Sequence, residues 1–222
     1  VASLTNCACH PTCMDATYTE VSADYVAGFY QALDSAWGGE NLFLQGAIGG
    51  WVQPTSERGN ILLALEKGKG LAKVTIQALE NAEAESETSV EFRSQSLVLP
   101  VTNEGWKQLS AIGTIPRKIR DSVETEVAWF RIGPAEFATH PGETAPWFGL
   151  ETKKLMQGTP KFVLGLSQDA LGYILKPTFF QHDTIPHAPY LTRMSVGPET
   201  GPIIMETLQP LIRDKRSVAS GE

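Results

Sequence analysis

The sequence is poor in cysteine, in clustered positive charge and in long apolar runs, and each shortage removes a class of function. Only three cysteines occur in 222 residues, Cys7, Cys9 and Cys13, and none follows them. An odd count confined to one short stretch builds no complete disulfide framework. The Cys-x-Cys-His-x-x-Cys spacing invites a zinc reading, but a structural site draws a second ligand pair from well downstream. Free thiols buried in a core strand are the simpler reading. No Lys/Arg cluster reaches the density of a phosphate-binding stripe, and the net charge is −7 with a pI near 5.2. Nucleic acid is therefore not an expected partner. No apolar run approaches the roughly 20 residues of a transmembrane helix. No G-x-S-x-G elbow accompanies Ser56 or Ser167, which argues against a metal-independent serine hydrolase. Val1 carries neither hydroxyl nor thiol, so it is no N-terminal nucleophile.

What is present reads as one large α/β unit. Hydrophobic content of 42% with 19% charged residues is ordinary for a globular domain, and the length suffices to bury a core. Residues 1–9 read as a strand entered at once, as in the later part of something larger. Ser22 precedes Val26, Phe29, Tyr30, Leu33 and Trp37 at helical spacing, with Ser22 as cap and Asp24 in the first turn. A short apolar strand follows at 42–44. A second helical pattern runs over 60–82, with Gly68 and Gly70 predicted to interrupt it. The acidic segment after it reads as a solvated helix end and loop. "SVEFRSQSLVLPV" alternates like a half-exposed strand stopped by Pro100. Asn103 is placed to cap a short helix through Leu109. "TEVAWFRI" and "KFVLGL" are further strands, and a last helix runs from Glu199, or just after Pro202, to Ile212. Helices and strands intermingle, which predicts a mixed β-sheet flanked by helices over 1–212 and a flexible tail over 213–222.

The stretch "ENLFLQGAIGGWVQP" resembles a protease-cleavage tag, and such scars are set aside before a fold is read. Its place in the middle of the chain argues instead for a buried strand running into a glycine loop at Gly46, Gly49 and Gly50. Three other places combine a turn with ligand-type side chains at a strand end. They are "CACHPTCMD" with His10, "HPGETAPWFG" with His140 and Glu143, and "GLSQDALGYILKP" with Asp169 and Tyr173. Singly, each is more simply structural: a hydrogen-bonded histidine, a solvated carboxylate, a core aromatic. Jointly, imidazole and carboxylate are the ligands of a catalytic zinc, and a nearby tyrosine can ligate it or donate to an oxyanion.

These segments, in this order, resemble the neutral/alkaline (non-lysosomal) ceramidase family and its shorter bacterial relatives. The matching pieces are His10-Pro11-Thr12, Ser22-Ala23-Asp24-Tyr25, Leu42-Phe43-Leu44-Gln45-Gly46-Ala47, Arg131-Ile132-Gly133 to Pro141-Gly142-Glu143, and Gly165-Leu166-Ser167 to Gly172-Tyr173. They span about residue 4 to 212. The resemblance implies a ceramidase-like catalytic domain lacking its N-terminal part, and an amidohydrolase with one Zn2+ that cleaves a carboxamide or N-acyl bond. It implies His10, Glu143 and Tyr173 as metal ligands and Tyr190, in "APYLTRMSVGP", as a second active-site tyrosine. His140 is placed as a proton shuttle or supporting partner. Gly46, Gly49, Gly50 and Trp51 form the substrate and oxyanion loop.

The chain departs from the family in two respects. The family's first zinc histidine belongs to an upstream segment absent here, so a separate N-terminal polypeptide, or a truncation, is expected to account for it. Where the family loop reads Gly-Asp-x-Ser-Pro, this chain has Gly49-Gly50-Trp51-Val52-Gln53-Pro54. Gln53 cannot be a nucleophile, but its amide can bond a substrate carbonyl, and Trp51 adds an apolar wall. The expected partners are that polypeptide, a small-molecule or lipid amide, and further copies in an oligomer. The expected location is secreted or periplasmic by resemblance, with the cytoplasm left open. The alternative is a ceramidase-like subunit that has lost catalysis and acts in binding or assembly.

Overall fold

Alternating apolar positions and helical stripes sort the chain into two packed layers around unequal cores. The computed structural model describes residues 2–14, 18–50, 52–54 and 59–214. In chain order the elements are β1 (Ala2–Cys7), α1 (Tyr25–Ala36), β2 (Glu40–Gln45), α2 (Ile61–Glu80), β3 (Val90–Pro100), α3 (Glu104–Ala111), β4 (Ser122–Ile132), β5 (Ala135–Thr139), β6 (Glu143–Thr144), α4 (Pro146–Leu155), β7 (Lys161–Leu164), β8 (Tyr173–Ile174), α5 (Ala188–Arg193) and α6 (Thr200–Arg213). A 3-10 turn at Pro177–Phe180 precedes α5. The tail expected beyond Asp214 lies outside the described residues.

The mixed sheet has four strands in the order β3-β4-β5-β7, antiparallel except for the parallel β5–β7 pair. Its inner face is covered by α4 and α6. There Leu97, Leu99, Val127, Trp129, Phe148, Ile204 and Leu208 form the main core. On the outer face, Phe92, Phe130, Phe137 and Phe162 stack in register across all four strands, with neighbouring ring centroids 4.6–6.4 Å apart. Two short parallel pairs, β1–β2 and β6–β8, stand beside this sheet. The helices α1 and α2 pack against each other and α1 covers β2, making a smaller core of Phe29, Leu33 and Ala72 with Phe43 against it. Side chain joins layer to layer where Asn6 Nδ2 donates to Val163 O at 3.1 Å.

Two local expectations are corrected. Ser22 does not cap α1; Asp24 does, its carboxylate accepting from Tyr25 N at 2.6 Å while Ser22 Oγ accepts from Asp24 N. Asp24 stands immediately before the first helical residue, in the N-cap position where aspartate is among the favoured types. Nor do Gly68 and Gly70 interrupt α2, which runs unbroken through both. Gly68 is instead where α1 presses against α2: a Cβ there would lie 1.8 Å from Tyr25 O and 2.4 Å from Phe29 N. Gly28 answers it from α1, 2.1 Å from Leu65 O by the same measure. The glycines are retained because two backbones touch. Five elements, β5, β6, α4, β8 and α5, together with the 3-10 turn, were not anticipated from the sequence.

The two glycines of α2 should behave oppositely. Gly68→Ala forces the helices apart and should lower unfolding free energy by about 1–3 kcal/mol. Gly70, with nothing within 4 Å of an added Cβ, should gain about 0.5–1 kcal/mol as alanine, by relief of glycine's backbone entropy. Urea unfolding of the two variants checks both signs.

Candidate active site

The end of β1 is held from three sides, and this fixes His10. Tyr25 Oη donates to Cys9 O at 2.6 Å, and Gln45 Nε2 donates to the same carbonyl at 3.2 Å and to Cys7 O at 3.0 Å. His10 N then donates to Val52 O at 2.7 Å. Asp24 braces the following loop by accepting Met14 N at 2.7 Å. None of Asp24, Tyr25 or Gln45 was singled out for a site role from the sequence, although the first two lie in the Ser-Ala-Asp-Tyr segment and Gln45 in the Leu-Phe-Leu-Gln-Gly segment. A polar side chain flanking a strand end was the signal available.

Opposite His10, β5 turns at Pro141-Gly142 into β6, and the parallel β6–β8 register sets Glu143 beside Tyr173. The glycine loop reaches this turn through Gly49 N, which donates to Thr144 O at 2.8 Å. His10 Nε2 thereby comes within 3.4 Å of Glu143 Oε2, both side chains part-exposed. The Tyr173 hydroxyl bonds with both Glu143 and Tyr190; burial first, then the Glu143 charge, pushes its pKa above the ordinary tyrosine value. The Tyr173 and Tyr190 rings meet edge to face, centroids 6.1 Å apart.

The atoms of this set have the spacing and the open valences of zinc ligands. Glu143 Oε2 and His10 Nδ1 are buried without a hydrogen-bond partner, so the imidazole and carboxylate are close yet not aligned as a hydrogen-bonded pair. Ligands about 2.0–2.2 Å from a tetrahedral zinc stand about 3.3–3.5 Å from each other, which the 3.4 Å separation matches. The donors fit the ion but are few. Among the described residues no group of three or more His, Cys, Asp or Glu could hold a metal; here one imidazole and one carboxylate meet a phenol.

The other sequence-derived candidates fall into different places. Gln53 Oε1 accepts from Thr12 Oγ1 at 3.1 Å, tying its loop to the His10 segment. Gly46 N donates to Cys7 O and Gly49 N to Thr144 O, so neither amide points to an oxyanion. Gly50 forms the turn with a positive φ of 97°. Trp51, like Ser56, lies outside the described residues. His140 is fully buried, its Nε2 3.0 Å from Thr152 Oγ1 and its Nδ1 unpartnered, so no ring hydrogen bond reaches His10, Glu143 or Tyr173. Burial pushes its pKa down to about 4. Asp169 is engaged by Arg117 and Thr125; burial would raise its pKa, but those bonds hold it below the usual value. The cysteines are free thiols, with only Cys13 fully buried.

Against solved structures, the chain overlays on neutral ceramidase from Pseudomonas aeruginosa with a TM-score of 0.66 and 16% identity, over 95% of this chain and 44% of that one. The chain has a neutral-ceramidase-like fold. A ceramidase solved in complex with C2 overlays with a TM-score of 0.62 and 14% identity, covering 95% of this chain and 45% of that one. This chain thus spans less than half the length of either ceramidase. No protein-family model and no curated protein matches it. Within this ceramidase-like fold, no helix among the described residues is long and apolar enough to cross a membrane.

Two outcomes follow from the geometry. Tyr25→Phe leaves Cys9 O with Gln45 alone and should cost about 0.5–1.5 kcal/mol, measured by thermal unfolding. For His140 the folded pKa of about 4 lies below the ordinary 6.5. The unfolded chain therefore takes up a proton that the folded chain refuses, and stability falls as pH drops from about 6.5 towards 4. Between pH 7 and 5 this amounts to about 2 kcal/mol. His140→Asn should remove that increment of acid sensitivity in paired urea titrations.

Proposed function

We propose that this chain forms part of a zinc-dependent amide hydrolase acting on a linear carboxamide or N-acyl bond. The observation that carries the reading is the orphaned Glu143 Oε2 standing 3.4 Å from His10 Nε2, a ligand-to-ligand spacing, within a ceramidase-like fold. His10, Glu143 and Tyr173 would hold the ion, with a further histidine from a polypeptide outside this chain. Bound zinc supplies a Lewis acid that polarises the amide carbonyl and a water whose pKa falls to about 7.

The chain's own residues orient the reaction. Tyr173, kept protonated by burial and by Glu143, can offer its hydroxyl hydrogen to the negative charge growing on the carbonyl oxygen. Tyr190 fixes the direction of that hydroxyl. Gln53, whose Oε1 is used by Thr12, presents its amide hydrogens to the substrate carbonyl. His140 acts at one remove, keeping the Pro141-Gly142 turn packed on α4. A catalytically inactive ceramidase-like subunit is the second reading, and the commitment of the Gly46 and Gly49 amides to backbone carbonyls favours it.

Metal analysis of the protein, co-purified with any associated polypeptide, separates the two. The amide hydrolase should carry about one zinc per chain, lose it in His10→Ala and Glu143→Gln with the fold intact by circular dichroism, and release fatty acid or amine from an N-acyl amide. Zinc below a tenth of an equivalent in the native assembly, with no amide hydrolysis, would leave the inactive subunit as the reading.

A further inference from the structure

The outer edge of β3 is open, and the hydrogen-bond parity of the strand shows which groups it offers. Gly133 N donates to Ser89 O and Val101 N donates to Asp121 O, both in the register that pairs Val90 with Ile132. In an antiparallel pair each residue turns its N–H and C=O to the same side, and successive residues alternate. The odd-numbered residues of β3 therefore face β4, and the N–H and C=O groups of Val90, Phe92, Ser94, Ser96 and Val98 face away from the sheet. No backbone hydrogen bond meets them among the described residues. Only beyond Val98 is the edge occupied, where Thr102 N donates to Val196 O and Gly197 lies against Pro100 O.

This edge lacks the usual protection. It carries no lysine, and its one proline stands at the terminus. The side chains of the same residues, on the outer face, include three exposed apolar groups: Val90 at 70%, Phe92 at 61% and Val98 at 60% exposure. The charged residues Glu91 and Arg93 lie on the opposite face, where they pair with each other.

The outward pattern is self-complementary. Reflected about Gln95 in an antiparallel pairing, Phe92 falls opposite Val98 and Ser94 opposite Ser96, so aromatic meets β-branched and hydroxyl meets hydroxyl, with no like charges opposed. The same reflection pairs outward-facing residues only with outward-facing residues, as hydrogen bonding requires. We propose that β3 pairs with β3 of a second copy of this chain about a two-fold axis at Gln95, making one continuous sheet of the two four-stranded sheets. The pairing runs from Phe92 to Val98 and seats the end of each phenylalanine stack, at Phe92, against Val98 of the other copy. This assembly is independent of the zinc reading.

Analytical ultracentrifugation of the protein tests it, with Ser94→Pro as the decisive variant. Proline removes an outward N–H and leaves the β3–β4 ladder untouched. A wild-type dimer is expected. Ser94→Pro, with unchanged far-UV circular dichroism, should weaken association roughly 10- to 100-fold, since two intermolecular hydrogen bonds are lost per dimer. Phe92→Lys should do the same, and Leu150→Lys, exposed elsewhere, should leave the dimer as it was. Gln95→Cys should cross-link to its own copy on mild oxidation through position 95, as mapped by peptide mass, with the wild type run alongside as the control for Cys7 and Cys9. A monomeric wild type, a dimer indifferent to Ser94→Pro, or a different polypeptide bound along β3 in its place would each overturn the proposal.

Discussion

The meeting of His10 and Glu143 depends on a contact made without side chains. Gly49 sits against the backbone of the Glu143 strand, so close that a Cβ would lie 2.1 Å from Glu143 O. Its N–H binds Thr144 O across the same gap. Any larger residue would push the loop after β2 away from β6. With the loop would go Val52 O, which receives the His10 amide. The imidazole and the carboxylate belong to different layers of the molecule, and this backbone contact is one of the few points that sets their separation.

Around that contact the polar groups divide into those that are spent and those that are not. Tyr25, Gln45 and Asp24 have their hydrogen bonds completed within the chain and act as bracing for the end of β1. Asp169 likewise neutralises Arg117 and steadies β4 through Thr125. Glu143 Oε2 and His10 Nδ1 remain unpaired although buried. Unpaired buried polar atoms cost about 1–3 kcal/mol each, and a protein retains them where something else completes them. His140 Nδ1 and the hydroxyls of Thr5, Thr144 and Ser195 are likewise buried and unpaired; what sets His10 and Glu143 apart is that imidazole and carboxylate stand 3.4 Å from each other.

The sequence revealed elements whose signal is local. The stripe of α1, the alternation of β3 and the Asn103 cap of α3 all depend on neighbours a few positions away, and all were legible. It concealed what depends on distant partners. Gly68 looked like a helix breaker because the α1 backbone against it is far away in sequence. Ser22 was read as the cap and Asp24 as a first-turn carboxylate, because the Met14 amide that helps hold Asp24 at the cap arrives from another loop. β5 is five residues long and gets its strand pairing from β4 and β7, while α4 contains a proline and a glycine. His140 could be placed at a strand end, but which way its ring turned was decided by Thr152 on a helix not foreseen. Glu143 and Tyr173 were readable as polar residues in turns. Their adjacency came from a two-residue parallel bridge that no periodicity announces.

The two unequal cores give the molecule a seam. The α1–α2–β2 layer and the four-stranded sheet have separate apolar interiors, and sparse hydrogen bonds such as Asn6 to Val163 and Gly165 to Gln45 cross between them. His10 belongs to the smaller layer and Glu143 to the larger side. Layers with separate interiors open at different free energies, the smaller first. A ligand gripped by both residues would act as a rivet through the seam, raising the protection of amides in α1 and α2 against hydrogen exchange far more than that of the sheet. In such a molecule, occupancy of the site and integrity of the smaller layer are two readings of one equilibrium.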